Sequence, residues 1–115
     1  MNICIISEVK QYLNDLITIL YEQGYFSFED TAVKYVDELL DEIISDLPTK
    51  LKRPAPKYFK QRYGKGLYYA VFQKSKNTQW YVFFIMYQID GEIFYQVRYI
   101  ANNHTVAQYL QPDIY

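Results

Sequence analysis

The residues best suited to chemistry lie near the end of the chain, in the stretch "VRYIANNHTVAQYL" from Val97 to Leu110, which holds the only histidine. An imidazole with a pKa of about 6.5 changes charge close to neutrality, so His104 is a candidate for exchanging a proton at physiological pH. Arg98 interrupts an apolar strand just upstream. An unpaired charge on an apolar face is costly, and a phosphate is one partner that would satisfy the guanidinium fork. Each of these residues also has a plain structural reading. A lone histidine in a polar turn is often a hydrogen-bonded fixture, Asn102 and Asn103 tolerate the positive φ of tight turns, and Arg98 can pair with Glu92 or a helix acid.

A second group is defined by charge. Residues 1 to 47 carry ten acids and two lysines, whereas residues 48 to 76 carry nine bases and no acid, so the formal net charge of -1 conceals two opposed segments. The bases are Lys50, Lys52, Arg53, Lys57, Lys60, Arg62, Lys65, Lys74 and Lys76. They are interleaved with Tyr58, Phe59 and Tyr63, a mixture in which cations hold phosphates and rings stack on nucleobases. The same segment read plainly is a solvated surface loop.

Composition narrows the function classes. A chain of 115 residues, 50% hydrophobic, is expected to be one domain, residues 1 to 115, with one core. Cys4 is the only cysteine, so no internal disulfide and no cysteine-based zinc site can form within the chain. With one histidine as well, no metal centre and no cofactor are expected. The longest uncharged apolar run, Trp80 to Tyr87, falls far short of the roughly 20 residues a spanning helix needs, and the N-terminus meets Glu8 before any long apolar run. A cytoplasmic protein without membrane contact is the expectation.

Periodicity supplies the elements that would position these residues. "NICII" suits a short strand. From Ser7, read as a helix cap, Val9, Tyr12, Leu13, Leu16, Ile17 and Leu20 recur at helical spacing as far as Gly24. "SFED" at 27 to 30 has the form of a capping box, and Val33, Val36, Leu39, Leu40, Ile43, Ile44 and Leu47 make a second stripe ended by Pro48. These predict an antiparallel helical hairpin. Pro48, Pro54 and Pro56 break the basic stretch into a connection without a strand, with room for a short helix from Pro56 to Tyr63. Leu67 to Gln73, Gln79 to Ile89 and Glu92 to Ala101 then predict a three-stranded antiparallel meander.

The Asp90-Gly91 turn sets a register in which Ile89 faces Glu92, Met86 faces Tyr95, Phe84 faces Val97, Val82 faces Tyr99 and Trp80 faces Ala101. That row should pack on the helices. The opposite face, with Tyr81, Phe83, Ile85, Tyr87, Phe94, Gln96, Arg98 and Ile100, would be an open aromatic surface with Arg98 across from Phe83 and diagonal to Tyr81.

This order of elements, together with the closing hairpin "TQWYVFFIMYQIDGEIFYQVRYIANNH" and the polar tail that follows it, resembles the RelE/ParE superfamily of bacterial toxins over nearly the whole chain. The resemblance implies an α+β fold in which an N-terminal strand and an antiparallel helical hairpin pack on one face of an antiparallel β-sheet. It implies the toxin component of a toxin-antitoxin system, neutralised by a cognate antitoxin protein. The RelE-like branch cuts messenger RNA on the ribosome without a metal, and the ParE-like branch poisons DNA gyrase. On this chain the catalytic turn falls on Asn102, Asn103 and His104, a late aromatic on Tyr109, and the middle-strand position on Tyr81 or Phe83. Arg98 and the bases Lys50, Lys52, Arg53, Lys57, Lys60, Arg62 and Lys65 would then contact RNA phosphates. The alternative is a noncatalytic protein of the same fold that inhibits by binding. In either case the antitoxin would be expected over the basic stretch and the open aromatic face.

Overall fold

The structure is a computed structural model, and residues 2–103 are described. Helices α1 (Ser7–Glu22) and α2 (Glu29–Asp46) form where the two stripes predict them, burying Val9, Leu13 and Leu16 from the first and Ala32, Val36, Leu39 and Ile43 from the second. Their starts differ from the sequence reading. Ser7 is already helical, and the cap is Ile6, whose carbonyl accepts from the N–H groups of Val9 and Lys10 at 3.1 Å. The capping box is not formed either. Phe28 is the N-cap of α2 and no side-chain bond closes it, which leaves Glu29 and Asp30 in the first turn to favour the helix through its dipole. Pro48 ends α2 through one turn of 3₁₀ helix, Leu47–Thr49.

The sheet has five strands, β1 (Ile3–Ile5), β2 (Arg53–Pro54), β3 (Tyr68–Ser75), β4 (Thr78–Ile89) and β5 (Glu92–Asn102), in the order β1-β5-β4-β3-β2. It is mixed rather than antiparallel throughout, because the chain, after crossing through the helices and the meander, brings β5 back beside β1 in parallel. The basic connection also contains a strand that was not expected. Arg53 pairs with Tyr69 and Pro54 with Tyr68 at the sheet edge, where a residue lacking an N–H is tolerated.

Register follows the sequence reading for half of the last hairpin. Asp90 and Gly91 both have positive φ, 51° and 83°, as a type I′ turn requires, and the pairs Ile89↔Glu92, Met86↔Tyr95 and Phe84↔Val97 form. The ladder then slips. Phe83 pairs with Tyr99, so Arg98 is the extra residue of a β-bulge, and Val82 meets Ile100 while Trp80 meets Asn102. Because side chains alternate, the one-residue slip inverts every later position of β5. Ile100 turns under the helices, and Tyr99 and Ala101 turn to the opposite face.

Each face of the sheet carries its own core. Under α1 and α2 lie Phe72, Trp80, Val82, Phe84, Val97 and Ile100, with the indole Nε1 of Trp80 donating to the Tyr35 hydroxyl at 2.8 Å. The second face is not the open surface that the sequence suggested. Helix α3 (Lys57–Tyr63) lies across it and places Phe59, 1% exposed, on Phe83 with ring centroids 4.3 Å apart. Tyr63 stacks on Tyr99 at 4.5 Å and 11°. Pro56 caps the start of α3, and Gly64 ends it at φ 133°, a conformation that L side chains rarely adopt. A Cβ at Gly64 would also stand 2.7 Å from Ile85 Cδ1 and 2.9 Å from Arg98 Nη1.

Candidate functional site

The bulge decides where Arg98 acts. With one residue too many between Val97 and Tyr99, Arg98 reaches across the second face to the end of α3 rather than lying across from Phe83. Its Nη1 donates to the Tyr63 carbonyl at 2.9 Å and its Nε to Gln96 Oε1 at 2.8 Å. The acceptor belongs to the last residue of a helix, where carbonyls lack intrahelical partners and the dipole is negative, so a cation there holds the helix end to the sheet. Among the described residues Arg98 makes no ion pair with an acid, Glu92 included.

Tyr81 is half-buried at the other end of the same face, where its hydroxyl donates to Gln79 Oε1 at 3.0 Å, and Gln79 in turn donates to Gln73 at 3.2 Å. Burial raises its pKa, and the Tyr69 ring nearby adds to the effect. Tyr63 and Tyr99 are raised as well, both first by burial; Tyr99 and Tyr58 add to the shift of Tyr63, whereas the hydrogen bond with Tyr63 partly offsets that of Tyr99. Tyrosines held protonated donate hydrogen bonds and do not abstract protons at neutral pH. Asn103 closes this end structurally, its Oδ1 accepting the Gln79 backbone N–H at 3.0 Å and its Nδ2 donating to the Asn77 carbonyl at 3.2 Å. His104 and Tyr109 lie outside the described residues.

The bases divide between the two faces. Lys50 stands over the Phe72 ring at 4.7 Å, and Lys52 over the Tyr95 ring at 5.6 Å while donating to the Pro48 and Lys50 carbonyls, all on the helix side of the sheet. Lys74, with a side chain 11% exposed, is neutralised by Glu42 at 2.7 Å. The other group gathers on and beside α3. Lys57, Arg62 and Lys65 are exposed, Lys60 is half-buried, and Arg53 shares a face with Tyr69. Arg62 is held in place, its guanidinium 3.6 Å from the centre of the Tyr58 ring and its Nη1 donating to the Tyr58 carbonyl at 2.9 Å.

The result is a cationic, tyrosine-bordered face opposite an acidic helical hairpin, an arrangement that attracts anions. Two clefts among the described residues lie outside it. One of about 570 Å³ runs beside β1 under α1 and α2, and one of about 460 Å³ opens beneath the α1–α2 turn, both apolar and lined by neither Arg98 nor Tyr81. No group of three potential metal-ligating side chains occurs among the described residues, and no helix there is long and apolar enough to cross a membrane. No family model, curated protein sequence or solved structure matches the chain significantly. Sequence reading put Gln96 on this face and Tyr63 among the rings of the basic stretch, but not as the partners of Arg98 and Tyr99, and it missed Tyr99 on this face altogether. Tyr99 could not be placed because nothing in a run of strand residues marks a bulge, and Tyr63 gains its role only once α3 is docked.

Proposed function

We propose that the protein is the toxin half of a bacterial toxin-antitoxin pair of RelE/ParE type, and that it meets ribosome-bound messenger RNA through the cationic face of α3. The observation that carries this reading is the separation of charge. Arg53, Lys57, Lys60, Arg62 and Lys65 sit together on the α3 side, while the acids of α1 and α2 occupy the other. Phosphates neutralise such a surface, and the Arg62–Tyr58 pair offers a base a rigid, positively charged platform. In the cleavage reaction the RNA 2′-hydroxyl attacks the adjacent phosphorus, one protein group takes its proton, another protonates the leaving oxygen, and cations offset the charge of the phosphorane. His104 takes a proton-exchanging role, and Tyr81 and Tyr109 act as neutral donors. The site of action is the cytoplasm, and a cognate antitoxin with acidic segments restrains the protein.

A second reading has its own support. Arg98 is already committed to the Tyr63 carbonyl and Gln96, which suits a noncatalytic binder that inhibits its target by occupancy. Induced expression with mapping of cleavage on ribosome-bound transcripts separates the two. The enzymatic reading expects growth arrest with cleavage, lost in His104→Ala while the domain stays folded. Arrest that persists in a folded His104→Ala, Arg98→Ala double variant supports the binder. Arrest unaffected by Lys57→Glu, Lys60→Glu and Arg62→Glu together would remove α3 from either account.

A further inference from the structure

The edge of the sheet beyond β2 carries an inference that does not depend on RNA. β3 pairs with β2 only at Tyr68 and Tyr69, and the pairing is extended on one side by the Ala55 N–H donating to the Leu67 carbonyl at 2.9 Å. That bond shows that the odd-numbered residues of β3 turn their backbone groups toward β2, since successive residues of a strand alternate in direction. The next two in the series, Val71 and Gln73, therefore aim N–H and C=O outward past the end of β2. No backbone group among the described residues answers them. The register irregularity between Gln73 and Ser75 closes this stretch at its far end.

An edge of this kind is a template for another strand, and its flanks determine which. Lys50, Lys52 and Arg53 lie at one end and exposed Lys76 at the other, and Glu42 of α2 is taken up by Lys74. Leu51, 70% exposed, adds apolar area beside the gap. Like charges placed opposite one another oppose strand pairing, so two copies of this edge repel, and a lysine-rich strand is excluded for the same reason.

We infer that Val71 and Gln73 form a docking edge for a short, acidic, extended segment of a partner protein, which joins the sheet beside β3. The partner's acids face Lys50, Arg53 and Lys76, and its backbone completes the four outward groups. This places a protein partner at the sheet edge rather than on α3 itself, with Arg53 the base that borders both surfaces.

The test uses the full chain and a labelled synthetic peptide alternating Val or Thr with Asp or Glu. Binding is followed by fluorescence anisotropy, and the site by hydrogen exchange of the Val71 and Gln73 amides. Those two amides should gain protection on binding. Affinity should fall about tenfold or more in a Lys50→Glu, Arg53→Glu, Lys76→Glu variant and for a peptide with lysines in place of its acids. A backbone N-methylated peptide, which keeps its charge but loses its donors, should also bind at least about tenfold more weakly. Equal binding of the N-methylated peptide, or absence of binding by the acidic one, overturns the inference. A chain that takes the peptide at this edge yet neither binds RNA nor arrests growth retains the docking edge and loses only the RNA reading.

Discussion

The two faces of the sheet are covered by helices of very different kinds, and the difference explains how each is held. On one side α1 and α2 lay down long apolar stripes, and Leu39, Ile43, Trp80 and Val82 are almost wholly buried between helix and strand. On the other, the cover is the seven-residue α3, which carries Lys57, Lys60 and Arg62 and touches the sheet chiefly through Phe59 and Tyr63. A helix that short is not stable alone in water. It exists because Phe59 fills a place on Phe83, Pro56 and Gly64 bound it, and Arg98 binds its last carbonyl. One face is held by pattern repeated over many turns, the other by a few particular contacts.

Truncation on each face is the most severe test of that contrast. Trp80→Ala removes the largest side chain of the helix-side core together with its bond to Tyr35, and should cost about 3–5 kcal/mol of unfolding free energy by denaturant titration. Phe59→Ala should cost about 3 kcal/mol, near the lower end of the same range because only one short helix has to give way. Hydrogen exchange distinguishes the two variants. In Phe59→Ala the amides of α3 should lose protection while those of α1 and α2 keep it. Equal loss in all three helices would mean that the two faces unfold as one unit.

The same contrast sets what was legible in the sequence. The helical hairpin could be read because Leu39, Leu40, Ile43 and Ile44 repeat at helical spacing, and the β4–β5 register as far as Val97 because Asp90-Gly91 admits few other turns. Past Val97 no local signal remained. A bulge is fixed by what it must fit, here Ile100 under the helices and Arg98 against the end of α3, and both are tertiary demands. Strand β2 was hidden for a similar reason, since two residues in a proline-broken basic stretch become a strand only when Tyr68 and Tyr69 lie beside them. At the candidate site the basic cluster was visible as composition, but its division into an α3 group and a helix-side group was not. Long side chains such as those of Lys50 and Lys52 bury their stems wherever an aromatic ring is close, and the chain path decides which ring that is.

A smaller effect is expected at the latch between the faces. Arg98→Ala removes two hydrogen bonds, one of them to a helix-terminal carbonyl, and should cost about 1–2 kcal/mol. Arg98→Lys should recover only part of this, because an ammonium cannot hold Gln96 and the Tyr63 carbonyl in one planar fork. If both variants unfold at the wild-type denaturant midpoint, Arg98 is not what secures α3, and its charge is free for a ligand.

The mildest probe asks whether the two faces sense each other at all. Burial pushes the Tyr12 hydroxyl on α1 up to about 12 from an ordinary value near 10, and the second contributor is Tyr99, which belongs to the α3 side. A tyrosine whose folded pKa is raised holds its proton more tightly in the native state than in the unfolded one. Its contribution to stability is therefore complete below about pH 10 and is lost as the pH climbs toward about 12. Tyr63, Tyr81 and Tyr99 are shifted in the same direction and steepen the fall. Unfolding free energy measured across this window should decline in the wild type and decline less in Tyr12→Phe, with Tyr99→Phe giving a weaker flattening and a slightly earlier titration of Tyr12. Spectrophotometric titration of the folded protein measures that last shift directly. If removing Tyr99 leaves the ionisation of Tyr12 unmoved, the two faces are electrostatically independent, and the end of β5 does not connect them.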